Sequence, residues 1–193
     1  MILRPANMLR RFRRDEDGAM TVEAAILLPF LFILVIICFM IFDSIRQHAV
    51  AQRSTYVITD MLSRETQRVD VTYLENARAA LRTLTGLENS EMSLRVSVIE
   101  WDDTRRKFNL LWSQKRGNGL NVRTPAGMRD LAARLPIMAD RDQLILVESL
   151  MDYTPPINVG VLPRQIETFT FARPRYAPQL LWCAANCTGG AGA

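Results

Sequence analysis

Residues 18–42 read GAMTVEAAILLPFLFILVIICFMIF. From Ala24 to Phe42 this stretch holds 19 residues without a charge. At 1.5 Å rise per residue a helix of them would span about 28 Å, close to the ~30 Å hydrocarbon core of a bilayer. The alternative is a helix buried in a soluble core, but such cores rarely supply this length of all-round hydrophobicity, which predicts a membrane-crossing helix. Pro29 predicts a mild kink, tolerable because neighbouring groups can re-satisfy the freed carbonyl.

The flanks set the expected orientation. Arg4, Arg10, Arg11, Arg13 and Arg14 crowd the short N-terminal side, and the next basic residues are Arg46 and Arg53. The leader is therefore expected to be cytoplasmic, with residues 43–193 across the membrane. Ala49-Val50-Ala51 resembles a secretory cleavage site. Against a secretory signal stand the length of the apolar run, the acids Asp15, Glu16 and Asp17 in the leader, and Asp43 and Arg46 ahead of the site. The same acidic cluster and the span that follows argue against a mitochondrial presequence, although Ile2, Leu3, Met8, Leu9 and Phe12 do alternate with arginines.

The rest of the chain bounds the function. A length of 193 residues accommodates one compact domain plus an attachment. With 49% hydrophobic and 23% charged residues the chain is neither disordered nor collagen-like, and three cysteines are too few for a disulfide-built scaffold. The net charge is only +4, and the basic residues, all arginine but Lys107 and Lys115, are spread along the chain, so no nucleic-acid partner is expected. One histidine, His48, excludes multi-histidine metal sites and leaves little for acid–base chemistry. Neither an enzyme nor a cofactor is expected.

The most specific local pattern is a charged leader that ends at Gly18, followed by Glu23 at the head of the span. A carboxylate within a membrane helix is costly, about 2.5–3.5 kcal/mol at the helix centre and less near the interface, so it asks for a partner. Cutting after Gly18 would create one: the new α-amino group of Ala19, a cation within reach of a first-turn carboxylate of its own chain or of a neighbour alongside. The pair would also set the axial register between adjacent helices.

This arrangement resembles the type IV prepilin signal, over roughly residues 4–42. The resemblance implies that a membrane prepilin peptidase cuts between Gly18 and Ala19 and leaves the apolar helix on the mature chain, with Glu23 as the registry residue for assembly. Within that superfamily the chain looks most like the TadE/TadF-type pseudopilins of the tight adherence (Tad, or Flp) pilus system. Three features carry this likeness: TVEAAILLPF from Thr21 to Phe30, a soluble region of some 150 residues, and a late strand followed by Phe171-Ala172-Arg173-Pro174-Arg175. The small major pilins of that system typically have Tyr after the Glu and almost no soluble domain; here Ala24 follows Glu23. The resemblance therefore implies a minor subunit, with other pilin and pseudopilin subunits, an inner-membrane assembly platform and membrane lipid as its partners.

Beyond the span the helical pattern continues through Phe42, Ile45, Ala49, Tyr56 and Thr59, predicting a stalk over residues 43–70 whose stretch around Val57–Leu62 leans on the globular part. A second helix is predicted at 73–85, with Thr72 and Glu75 as a capping box, Leu74, Ala77, Leu81 and Leu84 as its apolar face, and Gly86 at its end. Met92, Leu94, Val96 and Val98 alternate with polar residues and, with Phe108–Ser113, predict a hairpin around the charged turn Asp102–Arg106. Thr124-Pro125 predicts the start of a short helix carrying Met128, Leu131 and Leu135. Strands are predicted again at 143–153 and 166–173. The expected class is α+β: a long N-terminal helix continuing into a stalk, and a small antiparallel sheet of about four strands with short helices. The expected divisions are a cleaved leader (1–18), the span (19–42), the stalk (43–70), an α+β domain (71–182) and a flexible tail (183–193).

Cys183 and Cys187 are candidates for a local disulfide in an oxidising compartment, and Cys38 for an apolar filler within the span. Glu100, Asp102 and Asp103 lack calcium-loop spacing and run into Arg105, Arg106 and Lys107, so a solvated turn is expected. Asp140, Asp142, Glu148 and Asp152 carry no spacing that fixes an acid–base pair, and no metal site is expected. Gly117-Asn118-Gly119 lacks the Lys and Ser/Thr of a phosphate loop and is expected to be a turn. The alternative to a processed pilin-like subunit is an uncleaved single-pass envelope protein whose external domain binds a ligand or hydrolyses one.

Overall fold

A computed structural model describes residues 19–87, 92–128, 131–155 and 163–184. The class is α+β: a long apolar N-terminal helix, a shorter helix, and a four-stranded antiparallel sheet with short helical turns. Helix α1 (Ala19–Ser63) is continuous and passes through Pro29. Its first half is exposed, and its second half lies on the sheet.

The buried positions of α1 are Met40, Ser44, Ala51, Ser54, Thr55, Ile58, Thr59, Leu62 and Ser63. They recur every three or four residues, or multiples of these, so they form one stripe. The expected stretch around Val57–Leu62 does lean on the sheet through Ile58 and Leu62. Phe42, Ile45 and Tyr56, by contrast, are exposed and mark the outer face. Large apolar side chains outnumber inward positions in this helix, so their spacing shows that it is a helix without showing which face is inside.

Helix α2 (Val71–Thr85) packs beside α1 through Leu74, Ala77, Leu81 and Thr85. Its cap differs from expectation. Asp70, in extended conformation, accepts a hydrogen bond from the Tyr73 N–H through Oδ1 at 2.7 Å, and Glu75 pairs with Arg78 instead of closing a box with Thr72. A carboxylate at the cap satisfies an orphan donor and sits at the positive end of the helix dipole, which favours it over a hydroxyl two residues later. Leu84 is exposed, and Thr85 takes the last inward position. Gly86 ends the helix at φ 67°, the left-handed conformation that glycine adopts without a Cβ penalty. Asp70→Ala is expected to lower stability by ~1 kcal/mol, and Asp70→Ser by less, measured by chemical denaturation of the full chain.

The strands are β1 (Met92–Asp102), β2 (Lys107–Arg116), β3 (Gln143–Tyr153) and β4 (Arg164–Ala172), in the spatial order β2-β1-β3-β4. Period-two alternation divides the sheet into two faces. Leu94, Val96, Val98, Ile145, Val147, Met151 and Ile166 join Ile58, Leu62, Leu74 and Leu81 in the core under the helices. On the other face Ile99, Leu144 and Leu146 join Met128, Leu131 and Met138 from the segment that crosses back over the sheet. The single short helix expected there is two 3-10 turns, Pro125–Met128 and Ala132–Arg134. Gly127 and the nearby Pro136 leave too few residues for a stable α-helical nucleus.

A bulge between Val98 and Ile99 governs strand β2. Val98 is paired with Trp112 and Ile99 with Leu110, so Leu111 is an extra residue. Trp112 therefore packs on the helix side, while Leu110 and Phe108, although they keep the same parity in sequence, pack on the other. The chain's last described segment is clipped to the connection between the helices. The Val69 N–H donates to Leu181 O and the Cys183 N–H to Val69 O, both at 2.9 Å, and Trp112 Nε1 donates to Leu180 O at 2.8 Å.

Candidate functional site

From Met20 to Phe42 nearly every large apolar residue is exposed, Phe30 at 69% and Phe42 at 66% among them. The helix Met20–Ser63 contains an 18-residue window of mean hydropathy 3.2 and is the one candidate membrane span among the described residues. In water this surface would be an extreme exposed patch, far beyond what soluble monomers carry. A helix of this length and composition is compatible with a single-pass membrane protein.

Glu23 lies on this helix, exposed, one turn after Ala19. Positions four apart share a helix face, so an amine on Ala19 and the Glu23 carboxylate would be neighbours. Glu23 makes no ion pair among the described residues. Gly18 and the basic leader lie outside the described residues. Cys38 is a free, exposed thiol within the apolar half.

At the junction between the apolar half and the sheet, Tyr153 at the end of β3 donates its hydroxyl to Asp43 Oδ2. Burial, then the adjoining Asp43 carboxylate, pushes the Tyr153 phenol up to about 12. The first charged residue after the apolar run is thus tied to the sheet. His48, half-buried on the same helix, takes no part in this contact.

A hydroxyl seam continues the attachment. Thr55 Oγ1 lies 2.8 Å from Thr168 Oγ1 and 3.1 Å from Ser149 Oγ, which is itself 2.7 Å from Thr168 Oγ1. One turn on, Thr59 Oγ1 meets Thr170 Oγ1. Thr55 and Thr59 also donate to the carbonyls of Ala51 and Thr55, so their hydroxyls are anchored within the helix. Buried hydroxyls are costly unless partnered, and here they partner one another only at one helix–sheet register.

On the opposite face Glu148 is nearly buried between two arginines. Arg95 Nε donates to Glu148 Oε2 at 2.6 Å, Arg123 Nε donates to the same oxygen at 3.0 Å, and Arg123 Nη2 pairs with Oε1. Arg95 Nη1 also donates to Asn121 O at 2.6 Å. Burial would raise the Glu148 carboxyl, but hydrogen bonds and charge from Arg95 and Arg123 outweigh it and hold the group below its ordinary range. Sequence reading placed Glu148 among scattered acids and missed both partners. The available signal was an acid at an inward position flanked by Leu146 and Leu150.

The remaining acids are dispersed. Asp142 pairs with Arg173, Asp140 Oδ1 accepts from the Asp103 N–H, and Asp152 Oδ1 accepts from Gln165. Asp102 Oδ1 caps the hairpin turn by accepting from the Arg105 N–H, a bond that, with nearby cations, lowers its carboxyl. Among the described residues no group of three metal-capable side chains comes together. Gly117 and Gly119 have φ of 85° and 107°, and a Cβ on Gly117 would run into the Met92 carbonyl, so this is a tight turn. Cys183 is disulfide-bonded, and its candidate partner Cys187 lies outside the described residues. No family model matches the chain, and no curated protein or solved structure is significantly similar to it.

Proposed function

We propose that this chain is a membrane-inserted, pilin-like minor subunit of a Tad/Flp-type pilus, processed after Gly18, which acts by assembly and not by catalysis. The observation that supports it most is Glu23: a carboxylate one turn from Ala19, at the head of a helix that is apolar all round and runs without a break into a folded domain. A helix exposed on every side has surface for lipid first and for neighbouring helices afterwards. Prepilin peptidase would supply the Ala19 amine, and lateral transfer from bilayer to fibre would need no unfolding of the domain. In this reading the leader lies in the cytoplasm and the sheet domain beyond the inner membrane, facing other pilin and pseudopilin subunits and the assembly platform.

The rival reading, an uncleaved single-pass envelope protein with a ligand-binding external domain, is favoured by one feature, an apolar pocket at the far end of the sheet. N-terminal sequencing of the chain purified from membranes that contain a prepilin peptidase separates the two. A mature chain beginning at Ala19 is expected, and Gly18→Leu is expected to leave the leader on. An intact Met1, or a chain beginning at Gln52, overturns the proposal.

A further inference from the structure

The sheet face turned away from the helices ends in an open cavity of about 780 Å³, within the ~300–1,000 Å³ usual for binding sites. It lies at the end of the sheet opposite the Asp43–Tyr153 contact, because β3 begins beside it and ends at Tyr153. Trp101, Phe108, Leu110, Met128, Leu135 and Met138 form its apolar wall, with the Trp101 and Phe108 rings 4.7 Å apart. The bulge at Leu111 turns Phe108 and Leu110 into this wall.

Two further observations bear on what occupies it. Among the described residues Arg106 and Lys107 are the only charged ones that line the cavity, and none of those lining it is an acid. The acids described nearby have partners of their own: Asp102 the Arg105 N–H and side chain, Asp142 Arg173, Asp140 the Asp103 N–H, and Asp103 the indole N–H of the wall residue Trp101. Ile137, on the lip beside Pro136, is 98% exposed. A small amphiphile would fill the cavity and leave Ile137 in water; a length of polypeptide would cover both.

We propose that this pocket receives an acidic segment of a partner protein, an apolar side chain entering between Trp101 and Met138 while carboxylates meet Arg106 and Lys107. Apolar burial supplies the anchor and the two cations supply the sign selectivity. The proposal does not rest on processing after Gly18 and holds for a cleaved or an uncleaved anchor.

The test uses the full chain in phosphatidylcholine nanodiscs and the fluorescein-labelled peptide Asp-Glu-Leu-Trp-Glu-Asp, read by anisotropy against empty nanodiscs. Saturable binding is expected, weakened about ten-fold by the double reversal Arg106→Glu with Lys107→Glu, and regained when the peptide's acids are replaced by lysines. Ala132→Trp, which places an indole in the cavity and leaves both cations in the sequence, is expected to weaken both peptides. An unchanged melting temperature shows that each variant is folded. Absence of saturable binding up to about 1 mM peptide, or binding that neither the reversal nor Ala132→Trp changes, overturns the proposal. So does binding of 4-phenylbutyrate without binding of the peptide, which would assign the cavity to a small amphiphile.

Discussion

Glu148→Ala is expected to destabilise the sheet domain by about 3–5 kcal/mol, because it leaves the Arg95 and Arg123 guanidiniums facing each other with no counter-ion. Their side chains are only 14% and 15% exposed, so solvent compensates poorly for the missing carboxylate. Against a typical domain stability of about 5–15 kcal/mol such a loss is large. Glu148→Gln keeps the acceptor but not the charge and is expected to lose less. Replacing the cluster together, Arg95→Met with Glu148→Leu and Arg123→Met, is expected to recover much of the loss, since a buried ion cluster stabilises little over well-packed apolar residues. Urea titration of the full chain and its variants measures all three. A triple variant no more stable than Glu148→Ala would show that the cluster contributes more than its own desolvation.

The same site sets an acid limit. The folded carboxyl of Glu148 titrates below its unfolded value, so its contribution is complete above the unfolded pKa of about 4.3 and declines as pH falls through the lower folded value. Stability is therefore expected to be flat in this term near neutrality and to fall in acid. The fall should be shallower in Glu148→Gln, whose side chain does not titrate. Parallel acid curves for the two proteins would remove Glu148 from the account.

On the processed-subunit reading proposed above, Glu23→Ala is expected to leave cleavage after Gly18 intact and to reduce recovery of the chain in sheared fibres, or with partner subunits, by about ten-fold or more. The physical reason separates this from a folding defect. Removing a carboxylate from a membrane helix makes insertion easier, by up to about 2.5–3.5 kcal/mol for an acid at the centre. A loss of assembly therefore cannot come from poor insertion. It comes from an Ala19 amine left without its partner in low dielectric, where an unpaired charge is costly. Glu23→Asp, one methylene shorter, is expected to be intermediate. Assembly at normal yield with Glu23→Ala would end the registry role, while N-terminal sequencing of the same sample would still report on cleavage.

The elements were legible where one period dominated. Apolar residues without interruption marked the first half of α1, alternation from Met92 to Val98 marked β1, the β-branched and aromatic run 166–173 marked β4, and the run 143–153 coincides with β3. Turn chemistry at Gly86 and at Gly117–Gly119 was readable because left-handed φ leaves few residue choices. The inward face of the second half of α1 was not readable. Its buried face mixes the hydroxyls of Thr55 and Thr59 with Ala51, Ile58 and Leu62, while Ile45 and Tyr56 look outward. A polar helix face counts as buried only once a matching row of hydroxyls, Ser149, Thr168 and Thr170, is known to stand opposite.

Hydropathy and spacing alone settled that one helix can cross a bilayer, that a small sheet follows, and that Glu23 sits one turn from Ala19, because each depends on neighbours within a few residues along the chain. The partners of Glu148, the tie from Asp43 to Tyr153 and the pocket walled by Phe108 and Leu110 depend on register. Arg95 and Arg123 reach Glu148 across separations of 53 and 25 residues, and one extra residue, Leu111, decides which face Phe108 and Leu110 occupy. Local propensity carries no term for such distances, so those features exist only once the strands have paired.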